Sequence, residues 1–348
     1  LYLPAYFEPE LAASGYLAAN RSEAFAVAGF DMLVYTPVPT RGVSEEVRKI
    51  YEERKEEHLY DGRMKVLRFP LIREGKNPIQ RALRYFIAAF KQYWWASHAQ
   101  EAKQCDVIFV ASTPPIQGAM AALVKKRTHI PFIYNLQDIF PDSLVGTGIA
   151  RKGRLLWRIG RVIEDFTYRN ADKIIVISED FKKNIMAKGV PEEKIEVIYN
   201  WVDEQAVKEV NRDDNVLFDR YGLDRNKFYV TYCGNIGLTQ NMDMLLEVAK
   251  ELESEKAIHF VLVGNGAYKD ELEKEITIRN SKNVTLLPFQ PYEEISHVFS
   301  LGYVGLVISK PGVGENSVPS KTWRIMSASR PVLASCDENE LKEIIEKY

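Results

Sequence analysis

Short apolar runs alternate with longer stretches of helical periodicity along the whole chain. DMLVYT (31–36), DVIFVAS (106–112), PFIYNL (131–136) and DKIIVIS (172–178) are nearly continuous in aliphatic and aromatic residues. That is the pattern of strands buried on both faces of a parallel sheet. KIEVIYN (194–200), FYVTYCG (228–234), IHFVLVG (258–264), NVTLLP (283–288), YVGLVIS (303–309) and RPVLAS (330–335) read the same way. Helical patterns occupy 17–28, 78–104, 114–127, 151–170, 179–188, 241–255, 267–280, 291–300, 319–328 and 338–347. Such alternation predicts an α/β protein with parallel sheets and right-handed crossovers.

The rhythm breaks once. Residues 201–227 are polar, include NRDDN (211–215) and hold no strand-like run. The break predicts two Rossmann-like domains, 1–200 and 205–348, facing each other across a cleft at the carboxyl ends of their strands, where doubly wound folds bind ligands. A second polar stretch, 41–62, is rich in Glu and Arg and reads as a mobile loop. The chain opens on Leu1, with LYLPAYFEPE reading as a strand that has lost its beginning, and stops at ELKEIIEKY inside a helical pattern. It therefore reads as shorter than the whole protein, with the C-terminal end missing from the second domain.

Composition narrows the chemistry. Hydrophobic residues make up 46% and charged residues 27%, enough to bury a full core, and the net charge of −2 gives no global case for nucleic acid. No apolar run reaches the roughly 18 residues of a membrane span. Cys105, Cys233 and Cys336 are odd in number and far apart, and the five histidines are scattered. Neither a disulfide framework nor a metal site is expected, and a reducing cytoplasm fits. The pattern over 78–104 stands apart: IQRALRYFIAAFKQYWWASH is aromatic and apolar, with Arg81, Arg84 and Lys91 its main charges. ARKGRLLWRIGR (150–161) is similar. Either these helices lean on an anionic membrane, or they are core helices with solvated basic faces.

The stretch PGVGENSVPSKTWRIMSASRPVLAS (311–335) raises a phosphate question. A P-loop needs G-x-x-x-x-G-K-S/T, but Glu315 and Ser320 stand at the glycine positions and Pro319 removes an N–H. Neither GNGAYK (264–269) nor GNIGLTQN (234–241) completes a dinucleotide fingerprint. Taken together, however, these loops all follow parallel strands and line one sheet edge. Gly234, Gly237, Gly264 and Gly266 let backbone approach a ligand. Pro319 suits the first turn of a helix whose amides attract anions, and Lys321 adds a point charge. Glu315 repels phosphate but suits sugar hydroxyls. Amides for pyrophosphate beside a carboxylate for a sugar make a nucleotide-sugar site.

At this point the chain resembles the bacterial GT-B glycosyltransferases of retaining family 4, in the branch that builds O-antigen, capsule and colanic acid and includes N-acetylfucosamine transferases. The motifs are STPP (112–115), LQDIFPDS (136–143), NADKIIVISE (170–179), VIYNWVD (197–203), YCGNIGLTQN (232–241), VGNG (263–266) and ENSVPSKTWRIMSASRPVLAS (315–335). They cover nearly the whole chain, and their order rather than any one of them is specific. The resemblance implies transfer, with retention, from a nucleoside diphosphate sugar, a UDP N-acetyl sugar by family analogy. The implied acceptor is a lipid-linked glycan or polysaccharide. No cofactor and no metal are implied, and the implied location is cytoplasmic, peripheral at the inner membrane face through 78–104. Gly234, Asn235, Gly237, Gln240 and Gly264 would line the donor phosphates with Lys321. Pro288 and Phe289 would meet the base. Glu315, as the first glutamate of an E-x7-E element, would touch the donor sugar beside the amides of Asn316, Ser317 and Val318. Asp138 would sit near the anomeric carbon.

The match is incomplete. The second glutamate of E-x7-E falls on Trp323 or Arg324 depending on the direction of counting, and Ser329 replaces the glycine of a G-x-P-V turn. Two other readings therefore stay open: a nucleotide-sugar epimerase on the same scaffold, and a degenerate subunit that binds without turnover. No D-x-D follows a strand, which disfavours the metal-dependent transferase fold.

Overall fold

The computed structural model describes residues 1–10, 15–75, 77–146, 151–312, 319–337 and 339–347. It divides into two compact units, Leu1–Tyr199 and Asn200–Tyr348. In the first, the elements are α1 (Gly15–Val27), β1 (Met32–Pro37), α2 (Glu45–Glu53), β2 (Glu56–Leu59), β3 (Met64–Phe69), α3 (Pro78–His98), α4 (Gln100–Lys103) and β4 (Ile108–Ala111). They continue with α5 (Ile116–Thr128), β5 (Phe132–Leu136), α6 (Asp142–Gly146), α7 (Leu155–Asn170), β6 (Lys173–Val176), α8 (Glu179–Ala187) and β7 (Ile195–Val197). The strands run in the orders β1-β3-β2 and β4-β5-β6-β7. Tyr2 joins the two groups by pairing in parallel with Val34 and Phe109. Ile108, Val110, Phe132, Leu136, Ile174 and Val176 are buried in one cluster with Ala121, Ala122 and Phe181, so the β4–β7 layer and its helices share a core.

Two expectations need correction here. The polar stretch 41–62 is not a loop. Ser44 caps α2 by accepting from the amide of Val47 (3.3 Å), and Glu45 and Glu46 occupy the favourable first turn. β2 then pairs antiparallel with β3, so the first unit's strands are not all parallel. α2 buries no residue, which is why apolar periodicity could not reveal it. Ion pairing holds the polar edge instead: Glu57 accepts from the buried Arg68 guanidinium (2.6 Å), which also lies over the Tyr51 ring. The helical pattern 78–104 is also two helices, because the extended backbone of Ala99 (ψ 132°) separates α3 from α4.

The second unit contains α9 (Val216–Tyr221), β8 (Phe228–Asn235), α10 (Met242–Glu251), β9 (Ile258–Asn265), α11 (Lys269–Ile278) and β10 (Val284–Leu287). It ends with α12 (Ile295–Phe299), β11 (Val304–Ile308), α13 (Lys321–Ser327), β12 (Val332–Ser335) and α14 (Asn339–Lys347). Its five strands run β10-β9-β8-β11-β12, all parallel. The polar segment after residue 200 is tied into this unit: Val207, Leu217 and Phe218 are buried in its core. Strand order reverses between β8 and β11, so the topological switch lies at the carboxyl ends of those two strands. That is where ligands bind open α/β sheets.

α13 begins at Lys321 with Ser320 as its cap residue, two residues later than the sequence pattern suggests. Pro319 therefore precedes the helix and accepts from the amide of Thr322 (3.0 Å). The helix ends in a Schellman turn: the amide of Ser329 donates to Met326 O (2.9 Å) and that of Arg330 to Ile325 O (3.1 Å). Ser329 has φ of 55°, a left-handed conformation that suits glycine. Ser329→Gly should raise stability by about 0.5–1 kcal/mol, read as a higher denaturant midpoint with an unchanged slope. A lower midpoint would show that the serine side chain makes a compensating contact.

Candidate functional site

In the second unit three segments meet at the switch. β8 ends in Gly234 and Asn235, β9 in Gly264 and Asn265, and these residues pair in register. The loop after β8 is stapled to its neighbours: Ile236 N donates to Asn265 O (2.9 Å), Tyr268 N to Ile236 O (3.0 Å) and Lys310 N to Thr239 O (2.8 Å). Gly264 is required for packing. A Cβ on it would lie 1.9 Å from the carbonyl oxygen of Gly234, so the missing side chain lets the two strand ends meet, independently of any ligand. Gly234 differs. Its φ is 138°, and a Cβ would rest 3.5 Å from both Cε and Nζ of Lys321.

Lys321, the first residue of α13, turns its side chain onto the end of β8. Its Nζ sits 3.7 Å from the centroid of the Tyr232 ring, and the Tyr232 hydroxyl donates to Asn235 O (2.5 Å). Desolvation there lowers the ammonium from its usual value to about 7. The cation is thus held against the glycine backbone at the switch point, over an aromatic face, and among the described residues no carboxylate pairs with it. Burial pushes the neighbouring Cys233 thiol up to about 12, which makes it unreactive.

The amide of Gly237 donates to Oε1 of Gln240 (2.9 Å), so a phosphate reaching that amide must displace the Gln240 side chain. Asn235 lies in the same loop, and the Asn265 side chain accepts from Gly266 N (2.9 Å). After β10, the carbonyl of Pro288 accepts from Gln290 Nε2 (2.6 Å), while the Phe289 ring is 70% exposed. The sequence-level site residues Glu315, Asn316, Ser317 and Val318 lie outside the described residues.

In the first unit, Asp138 lies in the loop after β5. Its amide and that of Gln137 both donate to Ser112 Oγ (3.1 and 2.9 Å), and Ser112 follows β4. Asp138 Oδ2 accepts from Ser143 Oγ (3.1 Å). Burial raises the Asp138 carboxyl above its usual value, against the lowering effect of the Ser143 hydroxyl. The side chain therefore sits at the carboxyl edge of this unit's sheet in a low-polarity setting. Ser112 and Tyr232 are parts of these two arrangements that residue type alone did not single out. Both stand inside quoted motifs, but a serine bridging two loops and a ring beneath an ammonium have no sequence signature.

Residues 17–201 match the model of the glycosyl transferase 4-like domain, and residues 213–348 match that of the glycosyl transferases group 1. The chain belongs to these glycosyltransferases. This glycosyltransferase is 26% identical, over an aligned length of 352 residues, to a protein of Escherichia coli K12 named as a colanic acid biosynthesis glycosyl transferase, WcaI. That alignment covers 98% of this chain and 84% of the relative. It is also 26% identical to the glycosyltransferase WbjE of Pseudomonas aeruginosa, over 80% of this chain and 69% of the relative. Among solved structures, HepE of Anabaena in complex with UDP superposes with a TM-score of 0.65 at 17% identity, covering 99% of this chain and 88% of the other. Sucrose-phosphate synthase of Thermosynechococcus elongatus gives 0.71 at 16% identity, covering 96% and 80%. These likenesses identify the fold as GT-B. Membership of a glycosyltransferase family disfavours the epimerase reading. Ser329, seated in a helix stop, gives no support to the degenerate one.

Proposed function

We propose that this glycosyltransferase moves a sugar, with retention, from a UDP-sugar to a lipid-linked glycan or polysaccharide acceptor in bacterial surface polysaccharide synthesis. The donor sugar is an N-acetylated one on this reading, and no metal takes part. The observation that carries it is Lys321: an ammonium held at the β8/β11 switch against Gly234, with no carboxylate paired to it among the described residues, where a diphosphate would supply counter-charge. HepE, of the same fold, has been crystallised with UDP and with UDP-glucose, and WcaI is named for colanic acid synthesis. Asn235, Gly237, Gln240 and Gly264 would frame the phosphates, Phe289 and Pro288 the base, and Glu315 with the amides of Asn316, Ser317 and Val318 the sugar. As the glycosidic bond breaks, the leaving diphosphate gains charge, and backbone amides with Lys321 stabilise it. Helix α3 would hold the protein at the membrane that carries the acceptor.

Titration calorimetry across a panel of nucleotide sugars tests the donor site. UDP-sugars should bind, Lys321→Ala should weaken UDP and UDP-sugar alike, and Glu315→Ala should weaken only the sugar-bearing ligand. Wild type that binds no nucleotide would overturn the proposal. Asp138 is proposed as a catalytic residue beside the anomeric carbon. Asp138→Asn should lower kcat by about 100-fold with donor affinity unchanged. An equal fall in donor affinity would instead make it a structural tie between Ser112 and α6.

A further inference from the structure

The glycines at the ends of β8 and β9 differ in what they make room for. A Cβ on Gly264 would strike the Gly234 carbonyl oxygen, and one on Gly266 would lie 2.2 Å from the carbonyl oxygen of Ile236. Both obstacles are backbone. Gly237 has no such obstacle. The nearest atoms to a Cβ there are the Asn235 side-chain nitrogen at 2.6 Å, Gln240 Oε1 at 2.8 Å and Asn235 Cγ at 3.5 Å. These belong to two flexible side chains that can move aside. The φ of Gly237 also lies outside the left-handed region, so its backbone does not call for glycine. Nothing rigid in the free protein requires the missing side chain. The space above this residue is kept for something else.

Gln240 occupies that space in the free protein. Gly237 is buried, and a buried amide needs a partner. Oε1 of Gln240 accepts from Gly237 N (2.9 Å), and its Nε2 donates to Thr239 Oγ1 (3.0 Å). The side chain itself is only half-buried. The backbone around it is held by other bonds: Lys310 N donates to Thr239 O (2.8 Å) and Met242 N to Gln240 O (3.0 Å). The carboxamide can therefore swing away about its own torsions while the loop stays in place. Its oxygen on the Gly237 amide is a neutral imitation of a phosphate oxygen. An anionic oxygen makes a stronger bond to the same N–H. Phosphate wins that exchange, whereas water or a sugar hydroxyl gains nothing from it.

We propose that Gln240 is a displaceable self-ligand of the donor site: its carbonyl oxygen holds the Gly237 amide in the free protein and yields it only to an anionic oxygen. The amide thus stays paired when no donor is bound, and the loop discriminates phosphates from neutral groups. The proposal rests on the reading of this loop as the donor-phosphate site and deepens it. Gln240 borders the phosphates as their competitor rather than as a ligand to them.

Titration calorimetry with UDP, inorganic pyrophosphate and uridine tests it on the full chain, comparing wild type with Gln240→Ala and Gln240→Glu. Circular dichroism melts serve as the fold control. Alanine frees the amide, so UDP and pyrophosphate should bind about threefold to tenfold more tightly. Uridine has no anionic oxygen and should bind the alanine variant as it binds wild type. Glutamate keeps an oxygen on the amide, makes that bond charge-assisted and repels phosphate, so UDP and pyrophosphate should bind at least about tenfold more weakly. A side chain that braces the loop, or that donates to phosphate, would instead make the alanine variant bind UDP more weakly than wild type. Hydrogen exchange on protein carrying isotope-labelled glycine reads the contact without any ligand. The Gly237 signal, assigned by its loss in Gly237→Ala, should exchange about tenfold faster in Gln240→Ala than in wild type and regain protection when UDP is added. Equal exchange in the two free proteins, or weaker UDP binding by the alanine variant, overturns the self-ligand while the donor reading stands. Wild type that binds neither UDP nor pyrophosphate overturns both.

Discussion

Lys321→Met should weaken UDP binding by about 10- to 100-fold near pH 6.5, the loss of one charge-assisted contact to phosphate. It should also make the protein more stable at that pH. Both effects have one cause. In the free protein the ammonium is desolvated over the Tyr232 ring and against Gly234, and it gives up its proton near pH 7 rather than at the ordinary 10.5. A bound diphosphate supplies negative charge and restores the protonated form. Wild-type affinity should therefore fall as pH rises above 7, by up to tenfold per unit. Calorimetry in buffers of different ionisation enthalpy should report uptake of up to about one proton per UDP at pH 8. The methionine variant should show neither effect.

The stability sign follows from the same two values. Between about pH 7 and 10.5 the unfolded chain holds this proton and the folded chain does not. Stability therefore rises with pH through that window, and the full desolvation penalty is present below pH 7. The methionine variant should gain about 1–3 kcal/mol at pH 6 to 7 and lose that advantage toward pH 10. UDP affinity in wild type that is flat from pH 6 to 9 would show that the ammonium keeps its proton throughout, and the desolvation argument would fail.

The second large effect is expected at Gly264. Gly264→Ala places a methyl carbon 1.9 Å from the Gly234 carbonyl oxygen, and the obstacle is backbone, which cannot rotate aside. The ends of β8 and β9 must part, straining the bond from Ile236 N to Asn265 O. A cost of about 3–5 kcal/mol follows, seen as a fall of on the order of 10 °C in the melting of the second unit. UDP binding should fail with it, because the Gly234–Gly237 loop hangs from that pairing. The control is Gly153→Ala: a Cβ there meets nothing within 4 Å, and its φ of 82° costs only backbone strain. If Gly264→Ala melts like wild type, the strand ends separate more easily than their pairing implies.

The sequence by itself determined the elements that bury apolar side chains. Runs such as DVIFVAS and IHFVLVG could only be interior strands, and helices between them could only cross over in one hand, so an α/β fold with two Rossmann-like halves was legible from periodicity. Gly234 and Gly264 at strand ends and Lys321 at a helix start were legible as candidates, because glycine is depleted in strands and a cation beside helix-start amides adds to their attraction for anions. The tertiary structure alone decided the rest. α2 and β2 exist because Ser44 caps one and Arg68 pairs with Glu57 of the other, and polar stabilisation of this kind leaves no apolar period. The β10-β9-β8-β11-β12 order places the switch between β8 and β11, and strand order is a property of long-range pairing that no local pattern encodes. The state of Lys321 depends on the Tyr232 ring and Gly234 backbone beneath its ammonium, since desolvation is set by what surrounds a charge in space. The exposed stripe of α3, with Leu83, Phe86, Phe90 and Trp94, is of the same kind. Apolar residues all round a helix say that both faces seek cover, and only the packed structure tells which face found it.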